Sequence, residues 1–524
     1  MHTDHMSRRR FLAGTIAGLA TAGALPTVLP QPASARPARP LPSGLFKLGV
    51  ASGDPRPDGV VLWTRLAPEP LSEAPGAGMP PQPVPVHWQV ATDESFRRVV
   101  RRGTITARPG SGHSVHADVR GLSPERWYWY RFRAGREVSP IGRTRTAPAA
   151  GAKVDHLRFA FASCQQWRDG FYTPHSHLAE EDLDLVVFLG DYIYESRPSG
   201  GPRPDVVAPH LDPEPFTVDE YRRRYALYRL DPDLQAAHAR FPWVVTLDDH
   251  EVDNNWADEI PQDPDVQSPE QFLARRAAAF QAFYEHLPLP DKARPSGIDM
   301  RVFRRLDWGQ LARFHVLDSR QYRSDQITTI EASRDPSRTM LGREQERWLF
   351  HGLDHSPARW NVLANQVFMA ENDRIQGTFD FFDLDNWDGY AYSRQRLLQF
   401  LHERRPSNPF VITGDRHATW VCDLTTDFAD PAAPVVGSEI VGTSISSGGD
   451  PIPGLFDAIF GPIKAESPHW KYLSDGRGYV RCRIDKAECR SDLRIVSTVR
   501  SPEATIATQA SFVVENGRPG IQVA

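Results

Sequence analysis

The chain has 524 residues, 40% of them hydrophobic and 24% charged, with 46 prolines, 37 glycines and a net charge of −5. That length exceeds one ordinary domain, and the composition, globular and rich in turn formers, excludes both a helical bundle and a largely disordered chain. A mildly acidic protein has no electrostatic reason to grip nucleic acid or an anionic membrane, so no nucleic-acid binding is expected; an anionic phosphate would have to be drawn by a local cationic centre such as bound metal.

At the amino terminus, Ser7-Arg8-Arg9-Arg10-Phe11-Leu12 precedes an apolar stretch running to about Leu29, and Ala33-Ser34-Ala35 is a small-residue cleavage pattern. Charged, apolar and small-residue regions in that order make residues 1–35 a secretory signal peptide, and the paired arginines have the twin-arginine form. Pro26 and Pro30 weigh against a membrane anchor, and no later run holds 18 uninterrupted apolar residues. The expectation is export by the twin-arginine machinery to an extracellular, periplasmic or cell-wall location. Removal of the peptide leaves 58 basic and 65 acidic residues, a net charge of −7.

Residues 36–150 follow as short strands separated by Gly, Pro and Asp clusters, with strand-like runs at 60–65, 84–91 and 127–133. This spacing predicts a small β-sandwich, and Gly121-Leu122-Ser123-Pro124 before Trp127-Tyr128-Trp129-Tyr130 is of the fibronectin kind. A Pro/Ala/Gly linker at 147–152 leads into residues 151–524. There, short apolar runs at 157–163, 185–190, 244–247 and 410–414 predict strands buried on both faces. Helical patterns at 218–230, 269–286, 343–351 and 393–404 lie between them, so the class is α/β, a layered core. The tail from 478 to 514 returns to strand alternation. Cys482 and Cys489 are close enough in sequence for a disulfide, an open alternative; Cys164 sits in a different context.

Each of the four apolar runs ends in metal-capable residues. The first meets Cys164; the second meets Asp191, with Tyr194 three residues on. The third meets Asp248-Asp249-His250-Glu251, and the fourth Asp415-Arg416-His417. Sites in open α/β sheets form beyond the carboxyl ends of strands, so these ends are expected to converge on one edge of the sheet. Taken singly, Asp191 could cap a turn, Asp415 and His417 could form a surface ion pair, and Cys164 could be a small buried hydrophobe. Together they demand a cation, because a buried cluster of aspartates without one is costly.

The motifs Phe161-Ala162-Ser163-Cys164-Gln165, Gly190-Asp191-Tyr192-Ile193-Tyr194-Glu195, Asp248-Asp249-His250-Glu251-Val252-Asp253-Asn254-Asn255 and Gly414-Asp415-Arg416-His417 resemble those of the PhoD-type alkaline phosphatase and phosphodiesterase family of calcineurin-like metallophosphoesterases. The resemblance implies a metallophosphoesterase-like α/β/β/α core behind the N-terminal sandwich. It implies Fe(III) held by Cys164, Asp191, Tyr194 and Asp415. It also implies Ca(II) on Asp249, Asn254 and Asp191, with His417 close by and Asp253 and Asn365 as weaker candidates. Thiolate and phenolate suit a ferric ion and oxygen donors suit calcium. A zinc hydrolase is disfavoured, because the expected His-rich set is missing.

The expected activity is hydrolysis of phosphate monoesters or diesters by in-line attack of a metal-bound hydroxide or oxo ligand. His250 is expected to contact phosphate or protonate the leaving group. Arg416 could also contact phosphate, although alternation along a strand points it outward. Two alternatives stay open: a phospholipase D-like phosphodiesterase acting on lipid head groups, and a non-catalytic metal- or phosphate-binding protein of the same fold. The aromatic and acidic segment from Phe379 to Tyr392 is either a lid or an ordered loop. Ser444–Gly449 could line the site without any chemistry that requires it.

Overall fold

A computed structural model of the chain describes residues 40–196, 201–203, 211 and 213–524. The expected signal peptide at 1–35 lies outside the described residues. No helix among the described residues is long and apolar enough to cross a membrane.

The first strands are β1 (Val50–Arg56), β2 (Gly59–Arg65), β3 (Val84–Ala91), β4 (Val99–Ala107), β5 (Ser114–Arg120), β6 (Trp127–Ala134), β7 (Glu137–Val138) and β8 (Gly142–Arg145). Then come β9 (His156–Ala162), α1 (Thr173–Glu180), β10 (Leu185–Phe188), α2 (Val218–Arg229), α3 (Pro232–Arg240), β11 (Pro242–Val245) and α4 (Pro269–His286). A second layer follows with β12 (Arg304–Trp308), β13 (Ala312–Val316), α5 (Gly342–Asp354), β14 (Trp360–Ala364), α6 (Ala391–Arg404) and β15 (Pro409–Thr413). The chain finishes with β16 (Thr419–Thr425), β17 (Val435–Val441), α7 (Leu455–Glu466), β18 (Trp470–Ser474), β19 (Gly478–Asp485), β20 (Glu488–Val496), β21 (Ile506–Glu515) and β22 (Gln522–Val523).

Two large sheets face each other. One has the order β22-β21-β20-β19-β9-β10-β11-β1-β2-β5, the other β12-β13-β14-β15-β17-β16-β18. Period-two alternation divides their side chains between layers. Phe159, Phe161 and Val187 of the first sheet meet Phe314, Val362 and Ile412 of the second in one core. On the outer face of the first sheet, Ala160, Val186, Phe188 and Trp243 pack beneath helices carrying Leu178, Tyr225, Leu234 and Phe280. Leu363 and Val411 of the second sheet meet Leu349, Leu397 and Leu401 on its own outer side. The result is the α/β/β/α arrangement. Helix starts follow their caps: Thr217 accepts from the Glu220 N–H while Glu220 reaches back to Thr217, and Ser268 and Gln271 do the same for α4 with Pro269 in its first turn.

The N-terminal region does pack as two β-layers, with Val60, Leu62 and Ala117 against Val86, Tyr130 and Phe132. Only one layer is its own, however: β4-β3-β6-β7, with β8 on β6. The other layer, β1-β2-β5, is the edge of the ten-stranded sheet, joined where β1 runs parallel to β11 at Ser52↔Pro242 and Gly53↔Trp243. The boundary expected at residue 150 therefore follows the chain but not the sheets. The reason shows in β2, which is buried at all seven positions, where a strand of a free-standing sandwich would alternate with solvent.

Candidate metal centre

Three of the four motif-bearing strands, β9, β10 and β11, are neighbours in the first sheet, whereas β15 belongs to the second. This corrects the expectation of a single sheet edge: the residues meet where the ends of two sheets come together. Two glycines make the approach possible. A Cβ on Gly190 would lie 2.4 Å from Asp248 Cβ, and one on Gly414 would lie 2.6 Å from Ser163 Oγ. Beyond the strand ends, Cys164, Asp191, Asp415 and His417 all hold positive φ, at 59°, 56°, 67° and 53°. Such backbone is uncommon for residues with a side chain and clusters at functional sites.

One ligand atom each from Cys164, Asp191 and His417 lies within 4.8 Å of the others, and the same holds for Asp191, Asp249 and His250. Asp191 is common to both groups. The Tyr194 hydroxyl binds the first group together, donating to Asp191 Oδ2 at 2.8 Å, meeting His417 Nε2 at 2.9 Å and accepting from Ser447 Oγ at 2.9 Å. His417 thus stands with the thiol and the phenol, and Asp249 is among the charges that act on it. Asp415 is half-buried near Asp249, Asp385 and Arg416, and the loss of water around it pushes its carboxyl up to about 7. Asn254 donates its backbone N–H to Glu195 Oε1 at 3.1 Å.

The same Glu195 takes His250 Nδ1 at 2.7 Å, and the His250 ring lies against Tyr194 with centroids 4.1 Å apart. Burial opposes protonation of His250, but Glu195, Asp249 and Asp191 outweigh it and raise its proton affinity well above the usual imidazole range. His417 goes the other way: burial, with Arg477 and His250 nearby, pushes it down to about 3. Burial also pushes the Cys164 thiol, the Tyr194 phenol and the Asp191 carboxyl well up, each with carboxylates close by. Asp249 falls below its ordinary range, since Arg320 and His250 override burial.

The donor set fits cations. Asp191 Oδ1, Asp248 Oδ2 and Asp249 Oδ1 are buried with no hydrogen-bond partner; Arg320 Nη2 stands 3.6 Å from the last, and such burial is costly for a carboxylate unless something positive faces it. A thiol and a phenol beside one such group suit a ferric ion, and the oxygen-rich side suits calcium.

Arg416 is neither outward-pointing nor among the donors. Because β15 ends at Thr413 and positive φ follows at Asp415 and His417, strand alternation no longer applies. The guanidinium turns instead onto Asp383 Oδ2 at 2.8 Å, with its side chain 9% exposed. Asp253 is held by Arg275 at 3.0 Å, and Asn365 bonds to Val367, Thr413 and Trp387, so neither is free. Trp387 and Tyr390 are buried while Phe379 and Phe381 are exposed, so the aromatic segment is partly core and partly surface. All four cysteines are free thiols; Cys482 and Cys489 both lie near Ser491 Oγ, at 3.4 and 4.0 Å.

Four contributors carry no role that the sequence alone assigns. Asp248 and Glu195 sit inside the motifs, and their position there was the available signal. Ser447 lies in the small-residue stretch. Arg320 had no signal: it is fully buried, donates to Asp248 Oδ1 at 2.5 Å and pairs with Asp385 at 2.8 Å, a role visible only in three dimensions.

Comparison with known proteins agrees with this architecture. The family model for the PhoD-like phosphatase matches residues 159–493, and that for the PhoD-like phosphatase N-terminal domain matches residues 31–148. Alkaline phosphatase D of Bacillus subtilis (strain 168) is 47% identical over 527 aligned residues, spanning 98% of this chain and 88% of that protein. The solved structure of PhoD superposes with a TM-score of 0.87 at 47% identity, covering 93% of each chain.

Proposed function

From the premise that the chain belongs to the PhoD-like phosphatase family and is a phosphoric ester hydrolase, we propose that it is an exported, metal-dependent enzyme cleaving phosphate monoesters, diesters or both. The observation that carries metal dependence is the set of three buried carboxylate oxygens that accept no hydrogen bond, on Asp191, Asp248 and Asp249, near Cys164, Tyr194 and His417. Cys164, Asp191, Tyr194 and Asp415 would hold an iron(III) ion, and Asp249, Asn254 and Asp191 calcium, with His417 at the junction. Bound there, these ions supply Lewis acidity that draws off the charge building on the phosphoryl oxygens.

The chain's own groups do the rest. Glu195 fixes the His250 ring through Nδ1 and leaves Nε2 for a substrate oxygen, which supports a role for His250 in protonating the leaving group of a phosphoryl centre attacked in line by water. Asp249 is kept ionised by Arg320 and His250 and is oriented by the Asn255 N–H at 2.9 Å. Ser447 and Asp191 together fix the rotamer of Tyr194. The Arg8-Arg9-Arg10-Phe11-Leu12 segment with Ala33-Ser34-Ala35 supports export by the twin-arginine route.

The test is elemental analysis of the purified protein with hydrolysis assays before and after calcium chelation. The substrates are a phosphate monoester, a simple diester and phosphatidylcholine, the last probing lipid head-group cleavage. Iron plus calcium, with activity lost to the chelator and restored by calcium, is expected. Zinc alone, or hydrolysis indifferent to chelation, would reject the metal assignment.

A further inference from the structure

The net charge of −5 conceals a basic segment: residues 84–145 hold twelve arginines, no lysine and five acidic residues. Four of those acids are turned to partners of their own. Asp93 accepts the N–H groups of Arg97 and Arg98 at 3.0 and 2.8 Å, and Glu137 those of Gly44 and Leu45 at 2.7 and 2.8 Å. Asp118 pairs with Arg56 and Arg120, and Glu125 lies 3.8 Å from Arg145. The uncompensated cations gather on the outer face of the sheet β4-β3-β6-β7 and on β8 beside it.

Val86, Val90, Tyr130 and Phe132 are buried on the inner face of this sheet, so period-two alternation sends their strand neighbours outward. Register lays Arg102, Gln89 and Arg131 in one row across three strands, and Thr104, His87 and Arg133 in the next. These six line a groove of about 520 Å³. Trp129, half-buried, and Arg143 pair in the row on the other side. Among the described residues no carboxylate forms an ion pair with Arg102, Arg131, Arg133 or Arg143. Two of the four are held in place without one. Arg131 Nε donates to Gln89 Oε1 at 2.9 Å, with its guanidinium 4.1 Å from the Phe96 ring centroid, and the Arg143 guanidinium lies 3.5 Å from that of Trp127. Unpaired like charges on one face repel one another, so folding alone gives no reason to gather them. Guanidinium groups fixed in advance do lower the ordering cost of binding an anion.

We propose that this outer face binds an acidic polysaccharide, a chain whose sugar rings carry carboxylates. The guanidinium forks of Arg102, Arg131 and Arg133 match carboxylate geometry. Arg131 and Arg133 are two residues apart on one strand, about 6.8 Å, and Arg102 and Arg131 two strands apart, about 9.6 Å, so an extended chain meets them with successive acidic units. The Trp129 indole offers a flat apolar surface to a sugar ring, while Gln89, His87 and Thr104 supply hydrogen bonds for hydroxyls. A bare phosphate chain has no use for the indole or these neutral groups. A lipid surface fits less well, because the exposed apolar residues Val100 and Val138 lie on strands at opposite edges of the sheet. The face belongs to a different sheet from the metal centre, and its test does not depend on the phosphoesterase reading.

The probe is a hyaluronate oligosaccharide, titrated by calorimetry into the purified full chain at low salt. Dextran is the neutral control, inorganic polyphosphate the phosphate chain, and vesicles containing phosphatidylglycerol the lipid surface. The wild type should bind hyaluronate more tightly than any of the three, and added salt should weaken that binding. Arg102→Ala combined with Arg133→Ala, both exposed positions, should weaken it by at least about tenfold, and lysine at the same two positions should recover only part of the loss. Trp129→Ala should weaken it as well, where attraction of charge alone would leave it unchanged, and Trp129→Phe should restore most of it. Arg313→Ala removes an arginine that pairs with Asp307 on another sheet and should bind as the wild type does. Urea midpoints check that each variant is folded. Absence of hyaluronate binding, equal binding of polyphosphate or of the vesicles, or binding that survives either loss of both arginines or Trp129→Ala would overturn the proposal.

Discussion

Replacing Gly190 by alanine tests whether the site depends on the close approach of two strand ends. Gly190 has φ +110°, and the added Cβ would meet Asp248 Cβ at 2.4 Å and the Asp248 backbone nitrogen at 2.7 Å. Neither is the far end of a flexible side chain, so the turn after β10 must move away from the turn after β11. Strained backbone of this kind costs about 1–3 kcal/mol for a residue with a Cβ. Overpacking against a fixed neighbour adds roughly 1–3 kcal/mol. The sum, about 2–6 kcal/mol, is large against the 5–15 kcal/mol that holds a typical protein folded.

The same movement separates Asp191 from Asp248 and Asp249, and a displacement of about 1 Å at a reacting centre can cost about a hundredfold in rate. Urea unfolding at fixed calcium measures the first quantity, and kcat/KM on p-nitrophenyl phosphate the second. Gly110 is the control: a Cβ there meets nothing within 4 Å, so Gly110→Ala should be silent in both assays. If Gly190→Ala stays within about 0.5 kcal/mol of wild type, the range of an ordinary surface change, and keeps its kcat/KM, the close-approach argument is wrong.

Three further outcomes follow from buried groups. Arg320→Met leaves Asp248 buried without its cation and Asp385 with Arg323 alone, and should destabilise by about 3–5 kcal/mol in urea; an unchanged midpoint would show that the Arg320 pairs contribute nothing. Tyr194→Phe keeps the ring against His250 but loses the hydroxyl shared by Asp191, His417 and Ser447, and kcat/KM should fall at least about tenfold, or 1.4 kcal/mol. Undiminished turnover would remove Tyr194 from the site. His315 lies within β13; its Nδ1 accepts from Arg305 Nε at 3.4 Å and its Nε2 faces Asn361 Oδ1 at 3.3 Å, and burial holds its pKa down to about 3. Below its ordinary pKa near 6.5 the unfolded chain takes up a proton that the folded one refuses, so this contribution is whole above 6.5 and is lost as pH falls toward 3. His315→Asn should flatten the acid slope of stability by up to about 1.4 kcal/mol per pH unit, and parallel slopes for the two proteins would contradict it.

The strands that build the site were readable because they are apolar on both faces, and α4 was readable to its ends because Ser268-Pro269 and Gln271 mark its start. Which sheet each strand joins was not readable. An apolar run looks the same in either layer, so β15 was placed with β9, β10 and β11 when it lies opposite them. The pairing of β1 with β11 joins residues nearly two hundred positions apart and leaves no local trace. At the site, donor-type residues announced themselves at the strand ends. Period-two alternation does not reach Arg416, because the strand stops at Thr413. Glu195 sits inside a motif but its hold on His250, 55 residues away, leaves no trace there, and Arg320 has no local signal at all.

The acids explain why so much surrounding structure is spent on so few residues. Burial pushes Asp191 and Asp248 well up and Asp415 up to about 7, and two of the three unpartnered carboxylate oxygens belong to the first two. A core optimised for stability alone would replace such groups with apolar side chains at no loss. They are tolerated because their surroundings leave them no alternative positions: Glu251 takes the backbone N–H groups of Tyr192 at 2.6 Å and Asp248 at 2.8 Å, tying the ends of β10 and β11 together, and Glu439 ties Thr413 to Met369 and Ala370 at 2.7–3.0 Å beside Asp415. The sheets hold the carboxylates against their mutual repulsion, and a cation binding there would relieve that repulsion only in the folded state. By linkage such a cation would stabilise the fold as well as serve the proposed chemistry, and the strain at the strand ends and the affinity for metal would then be two aspects of one free energy.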